Sequence, residues 1–262
     1  MDLGLSGRAF VVTAASSGLG RASAAALVAE GARVAVVARR AEVLAELVDA
    51  LNRTAPERPD GGPAAVSLAA DVADPGTGQR ACASALEAFG RLDGALVSVG
   101  GPAAGSVRGT TAEQWRTAFD GVFLSALGVT ESVLQAGTAS DLAVAWVLST
   151  SVKSPVGGLA ASNGLRPGLG MLVKQLADEV GPDGTRVVGL MPGRIDTERV
   201  QHLDNLAADP AEARKSAEAS IPLRRYGRPD EFGRVAAFVL SPAASYLTGC
   251  VLPVEGGALR SL

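Results

Sequence analysis

The chain is short of the residues that most often carry chemistry by themselves. Of its 262 residues one is histidine, two are cysteines and two are tyrosines, and aromatics make up only 4%. Cys82 falls in a helical pattern and Cys250 in a late apolar run, with no Cys-x-x-Cys and no clustered histidine. That spacing excludes a zinc site or a disulfide framework and suits a reducing compartment. Neither sign of charge dominates, since 24 Lys and Arg face 27 Asp and Glu for a formal net charge of −3. A basic footprint for nucleic acid or an anionic membrane is absent. No run reaches the ~18 consecutive apolar residues of a membrane span. The N-terminus carries Asp2 and no long apolar segment. These absences predict a cytoplasmic protein with a small-molecule partner and no nucleic acid, membrane or metal.

Glycine and aliphatic residues are abundant instead: 32 glycines, and 47% of the chain hydrophobic. Short apolar runs alternate with helical patterns from end to end. Strands are predicted at Ala9 to Val12, Val34 to Val37, Ala64 to Leu68, Ala95 to Val99, Leu142 to Leu148, Arg186 to Met191 and Val251 to Val254. Helices are predicted between them, over Arg21 to Glu30, Ala41 to Asn52, Thr77 to Phe89 and Leu159 to Val180. A Thr110-to-Glu113 capping box starts another that runs to about Gln135. Pro229-Asp230-Glu231 opens the last, with Pro in the first turn and acids at its positive end. Strands separated by helices require right-handed crossovers. The expectation is an α/β fold with a doubly wound, parallel, seven-stranded sheet of Rossmann type, one domain over 1–262. A long polar segment at about 197–220 follows the sixth strand.

The first strand runs into Thr13-Ala14-Ala15-Ser16-Ser17-Gly18-Leu19-Gly20 and then a helix. A glycine-rich turn between strand and helix lets backbone approach a phosphate, which the helix's free N–H groups then bind. Ligands of such sheets lie beyond the C-terminal strand edges. That rim holds the first turn, Arg39-Arg40, Asp71, Ser98 to Gly101, Ser149 to Lys153 and Pro192 to Thr197. An acid after the second strand would bind the ribose of NAD; Arg39 and Arg40 stand there instead and suit a 2′-phosphate. NADP(H) is therefore preferred over NAD(H).

These residues together resemble the short-chain dehydrogenase/reductase family over essentially the whole chain. Thr13 to Gly20 is similar to its Thr-Gly-x-x-x-Gly-x-Gly fingerprint, with Ala14 in the first glycine position. Asp71-Val72 looks like its adenine-contacting pair, and Pro192-Gly193-Arg194-Ile195-Asp196-Thr197 like its nicotinamide clamp. The resemblance implies cofactor contacts from Thr13, Ser16, Gly18, Leu19, Gly20, Arg39, Arg40, Asp71, Val72, Gly100, Pro192, Gly193, Ile195 and Thr197. It also implies a substrate-lid segment at about 197–220, a homodimer or homotetramer built on the two long helices, and hydride transfer at a carbonyl or alcohol through Ser, Tyr, Lys and Asn. Counted from Ala177-Asp178-Glu179, the Tyr position is Ser162 and the Lys position Arg166; the Asn position is Val122. The family's serine falls on Ser149 or, with a shorter loop, on Ser151, the preferred choice.

The catalytic candidates are thus Ser151, Ser162, Arg166 and Lys153, the last two residues beyond Ser151. An arginine holds an anion but does not titrate usefully. Arg194, inside the clamp, is a candidate for recognising a carboxylate or phosphate. Two functions remain open: an oxidoreductase with an altered proton path, or a catalytically silent NADP(H)-binding sensor or partner protein. Halohydrin dehalogenases resemble the family and use Ser, Tyr and Arg without nucleotide. Arg166 matches that set, whereas Ser162 and the glycine-rich loop do not.

Overall fold

The computed structural model describes residues 2–58 and 61–261. Seven parallel strands form one sheet in the order β3-β2-β1-β4-β5-β6-β7. They are β1 (Ala9–Thr13), β2 (Arg33–Ala38), β3 (Ala65–Ala69), β4 (Gly94–Val97), β5 (Ala143–Val147), β6 (Arg186–Pro192) and β7 (Cys250–Val254). Between them run α1 (Gly18–Ala29), α2 (Ala41–Thr54), α3 (Thr77–Phe89), α4 (Ala112–Ala118), α5 (Ser125–Ala136) and α6 (Ala160–Val180). Then come α7 (Glu198–Asp204), α8 (Pro210–Ser220) and α9 (Pro229–Leu240).

Alternate residues of a strand point to opposite faces, so a sheet covered on both sides needs apolar residues at every position. In β1, Phe10 and Val12 pack with Leu27 of α1, Leu44 of α2 and Phe232 of α9. Ala9 and Val11 pack with Ala81 of α3, Val129 of α5 and Leu169 of α6 on the other face. Pro253 lies in β7, which among the described residues pairs only with β6. A proline is tolerated there because an edge strand has one ladder to serve. β1 pairs β2 on one side and β4 on the other. The crossovers reverse direction at that point and open a crevice above the strand ends.

Four local expectations change. α1 begins at Gly18, not Arg21, which puts both loop glycines in the first helical turn. The capping box is made by Thr111 and Gln114, at 3.2 and 2.8 Å, not by Thr110 and Glu113. The Thr110 hydroxyl is occupied, donating to the Ser106 carbonyl at 2.7 Å. The long helix is interrupted by a π-helical turn, Phe119–Leu124, where the Ser125 amide and hydroxyl both bond the Asp120 carbonyl. The polar stretch 197–220 is helical, as α7 and α8, with the Thr197 and Asp209 side chains capping their N-termini.

Taken together, Ala112–Ala136 is 25 residues long and, with a mean hydropathy of 1.2, apolar enough by composition to cross a membrane. Its Val122, Ala126, Val129 and Val133 are buried within the second core.

Candidate active site

Thr13 ends β1 with a buried hydroxyl that donates to the Ser98 carbonyl at 2.6 Å and accepts from the Ser98 amide at 2.8 Å. This reciprocal pair holds the turn after β4 against the turn after β1. The chain then doubles back. Ala14 takes φ +50° and Gly18 φ +54°, and a Cβ on Gly20 would stand 2.6 Å from the Ala14 carbonyl oxygen. Glycine at 20 is thus a steric requirement. Ser17, at the start of α1, makes no capping hydrogen bond. The amides of the first turn stay available at the positive end of the helix. Ala14, Ser17, Gly18, Leu19 and Gly20 wall one end of a cavity of about 860 Å³.

At the end of β2, Arg40 Nη2 donates to Ser16 Oγ at 3.2 Å, and Arg39 lies 3.7 Å from the Asp71 carboxylate. Both arginine side chains are more than half exposed. Asp71 builds its own turn: Oδ1 accepts from the Ala73 amide at 3.0 Å and its carbonyl from the Thr77 hydroxyl at 2.8 Å. Val72 packs against the core beneath. A glycine cradle, uncapped amides and an adjacent pair of guanidiniums fit a phosphorylated dinucleotide.

Ser162 and Arg166 stand one turn apart on α6, buried to 5% and 6% exposure, and both line the cavity. Arg166 Nη1 donates to the Val147 carbonyl at the end of β5, at 2.7 Å. Burial, and then the charge of Arg199, pull its pKa down to about 10, so it stays cationic at neutral pH. Ser151 is buried behind Ser162, with the hydroxyl oxygens 3.1 Å apart. Ser149, not Ser151, is on the cavity wall, and its hydroxyl accepts from the Ser151 amide at 3.1 Å. Lys153 follows a short 3₁₀ turn (Thr150–Val152), is exposed, and lies outside the cavity lining. Val122 is buried within the π-helical turn.

Neither tyrosine lines the cavity. Tyr246 is fully exposed. Tyr226 is buried, and its hydroxyl donates to Asp204 at 3.0 Å. Burial there raises its pKa, the opposite of what an acid working near neutrality needs. Cys82, pushed up to about 11 by burial, is no nucleophile either.

The turn after β6 closes the cavity. The Gly193 amide donates to the Val254 carbonyl at 3.0 Å, and a Cβ at 193 would fall 2.5 Å from that of Glu255. Pro192, Gly193, Ile195 and Thr197 all line the cavity, as does Gly100 of the β4 turn. Thr197 also caps α7, accepting from the Val200 amide at 3.4 Å. Arg194 is engaged within the protein, donating to Asp204 at 2.6 Å and to the Tyr226 hydroxyl at 3.1 Å.

Sequence reasoning missed Arg199. It lines the cavity from the first turn of α7 and donates to the Pro102 carbonyl at 2.7 Å. The one signal for it was its place two residues beyond Thr197, a helix-capping residue type.

A family profile described as enoyl-(acyl carrier protein) reductase matches residues 13–258. Levodione reductase of Leifsonia aquatica is 31% identical over 261 residues, covering 95% of this chain and 93% of that protein. L-sorbose reductase from Gluconobacter frateurii, solved with NADPH and L-sorbose, superposes with a TM-score of 0.90 over 100% of both chains at 27% identity. An NADPH-bound short-chain oxidoreductase from Pseudomonas aeruginosa PAO1, containing an atypical catalytic center, gives a TM-score of 0.88 at 28% identity over 97% and 98% of the two chains. Likeness of this extent runs from the first phosphate-loop residue to the last strand, and the chain belongs to the short-chain dehydrogenase/reductase family.

Proposed function

We propose that the protein is an NADP(H)-dependent oxidoreductase that interconverts a carbonyl and an alcohol by an altered proton path. One observation carries this reading. The glycine-lined, uncapped start of α1 and the Ser162–Arg166 face of α6 open on the same cavity. Arg39, and Arg40 with Ser16, hold the 2′-phosphate, and the first turn of α1 holds the pyrophosphate. Bound NADPH supplies the hydride.

The chain lacks the family's Tyr-x-x-x-Lys pair, having Ser162 and Arg166 in those places. Ser162, oriented by Ser151, and Ser149 hydrogen-bond the substrate oxygen. Arg166 stabilises the negative charge that grows there, and a water delivers the proton. Lys153 is left without a part in this scheme. Removing the Ser162 hydroxyl (Ser162→Ala) lowers kcat by about 10²-fold, as loss of one oxyanion donor does. The check is NADPH absorbance in steady state with a ketone, aldehyde and imine panel.

Among the described residues no tyrosine or lysine stands in the cavity wall, which favours one other reading, a silent NADP(H)-binding protein. Under it, wild type binds NADPH and turns nothing over, while the double variant Ser162→Tyr/Arg166→Lys gains activity. Turnover by wild type excludes it.

The same reading takes the chain as one nucleotide-binding domain, with α7 and α8 as a lid over the substrate. Half-exposed Phe119 and Leu124 beside α5, and exposed Met171 on α6, suit burial between subunits of a homodimer or homotetramer. Both cysteines are free thiols, in keeping with a cytoplasmic setting.

A further inference from the structure

The charged side chains in the cavity wall are Arg166, Arg194, Glu198 and Arg199. Two of them are already answered. Arg194 is paired with Asp204 at 2.6 Å, and Glu198, 70% exposed, turns to Arg40 at 3.9 Å. Arg166 and Arg199 are not. Each makes one side-chain hydrogen bond, to a neutral backbone carbonyl, at 2.7 Å in both cases. Among the described residues no carboxylate lies within ion-pair reach of either. The rest of the wall around them is largely apolar, with Val156, Leu159, Leu203, Leu206 and Ile221.

Two cations lining one cavity without a counter-charge, Arg166 buried and Arg199 partly so, are costly to keep. Burial lowers the pKa of both guanidiniums, and Arg199 adds to the fall at Arg166. An anion between them removes that cost, and a planar guanidinium with unused donors binds a carboxylate in two-point fashion.

We propose that the cavity selects a substrate bearing a carboxylate on an apolar body, with Arg199 on α7 as the residue that recognises the charge and Arg166 as its neighbour. This rests on the oxidoreductase reading above and names the substrate class of the same site. Because Arg199 already ties α7 to Pro102 in the turn after β4, the carboxylate joins the lid helix to the body when it binds. The other anion within reach of this chemistry is the cofactor's own pyrophosphate, and the test separates the two.

The probes are benzoate and benzamide, equal in shape and different in charge, titrated calorimetrically into the full chain loaded with NADPH. NADPH itself is titrated separately into wild type and Arg199→Met. The expected result is benzoate binding at least tenfold tighter than benzamide, a preference that weakens with salt, is lost in Arg199→Met and is partly kept in Arg199→Lys. Thermal unfolding confirms that both variants fold. Equal binding of the two probes, binding of neither, or a benzoate preference that survives in Arg199→Met overturns the proposal. So does a tenfold loss of NADPH affinity in Arg199→Met with the preference intact, which assigns the charge to the pyrophosphate. A protein that fails to bind NADPH and still prefers benzoate overturns the cofactor reading and leaves the anion site standing.

Discussion

Ala14 holds the left-handed conformation, φ +50°, at the position where the family fingerprint has glycine. An L-residue there costs roughly 1–2 kcal/mol. Ala14→Gly removes that strain and loses part of the gain to the greater freedom of glycine in the unfolded chain. The expected outcome is a stabilisation of up to about 1 kcal/mol in urea unfolding, with NADPH affinity retained. Gly20→Ala goes the other way, because its Cβ would meet the Ala14 carbonyl oxygen at 2.6 Å. Much of this scale was legible in the sequence. Gly18 and Gly20 were read from type and spacing, and Ser162 and Arg166 by counting back along a helix, and all four stand on the cavity wall, whereas Arg39 and Arg40 lie outside its lining. What the sequence could not show is which way a side chain turns. Ser149 and Ser151 are two residues apart on one turn, and only the folded backbone puts one hydroxyl on the wall and the other behind Ser162. For the same reason the sequence pointed to Arg194 and passed over Arg199. Their difference is that Asp204 and Tyr226 meet the first and, among the described residues, nothing acidic meets the second.

The elements that carry apolar periodicity were found, and those that do not were missed. α8 buries no residue, so no stripe marks it as a helix; its signals are Asp209 and Pro210 at the start. The π-helical turn at Phe119–Leu124 is invisible to a 3.6-residue pattern because the apolar residues on either side keep nearly the same spacing. α8 is held instead by charge. Arg214 donates to both oxygens of Asp196, at 3.3 and 2.9 Å, and its guanidinium lies 4.5 Å from the centre of the Tyr226 ring. The Asp196 carboxyl is held below the usual carboxylate range, first by Arg214 and then by Gln201. A carboxyl depressed in the native state adds stability that is whole above its unfolded pKa of about 3.9 and lost as pH falls through the native value. The latch is therefore complete at neutral pH. Asp196→Asn should lower the urea midpoint by an amount that is constant from neutrality to about pH 4 and narrows below it.

For the whole molecule, the doubly wound parallel sheet of seven strands followed from their alternation with helices and right-handed crossovers, whereas the strand order β3-β2-β1-β4-β5-β6-β7 is seen only in the folded chain. Assembly did not follow, because exposure is a property of the folded surface. Phe119 at 40%, Leu124 at 47% and Met171 at 71% exposure are large apolar groups on helices otherwise committed to the core. Light scattering should find a mass two or four times the 26.3 kDa of the chain. Leu124→Glu and Met171→Glu should each bring it toward one chain, with the far-ultraviolet circular dichroism unchanged. The way α8 is fastened has one more consequence. As the lid proposed above, α8 is held by ion pairs and buries no apolar residue of its own, so it would expose little apolar surface when it lifts. Its opening is then nearly free of the heat-capacity change that accompanies apolar hydration, and it answers to counter-ions within a Debye length. On the proposed lid role, the time a product spends beneath it should be set by the ionic strength of the surroundings more than by their temperature.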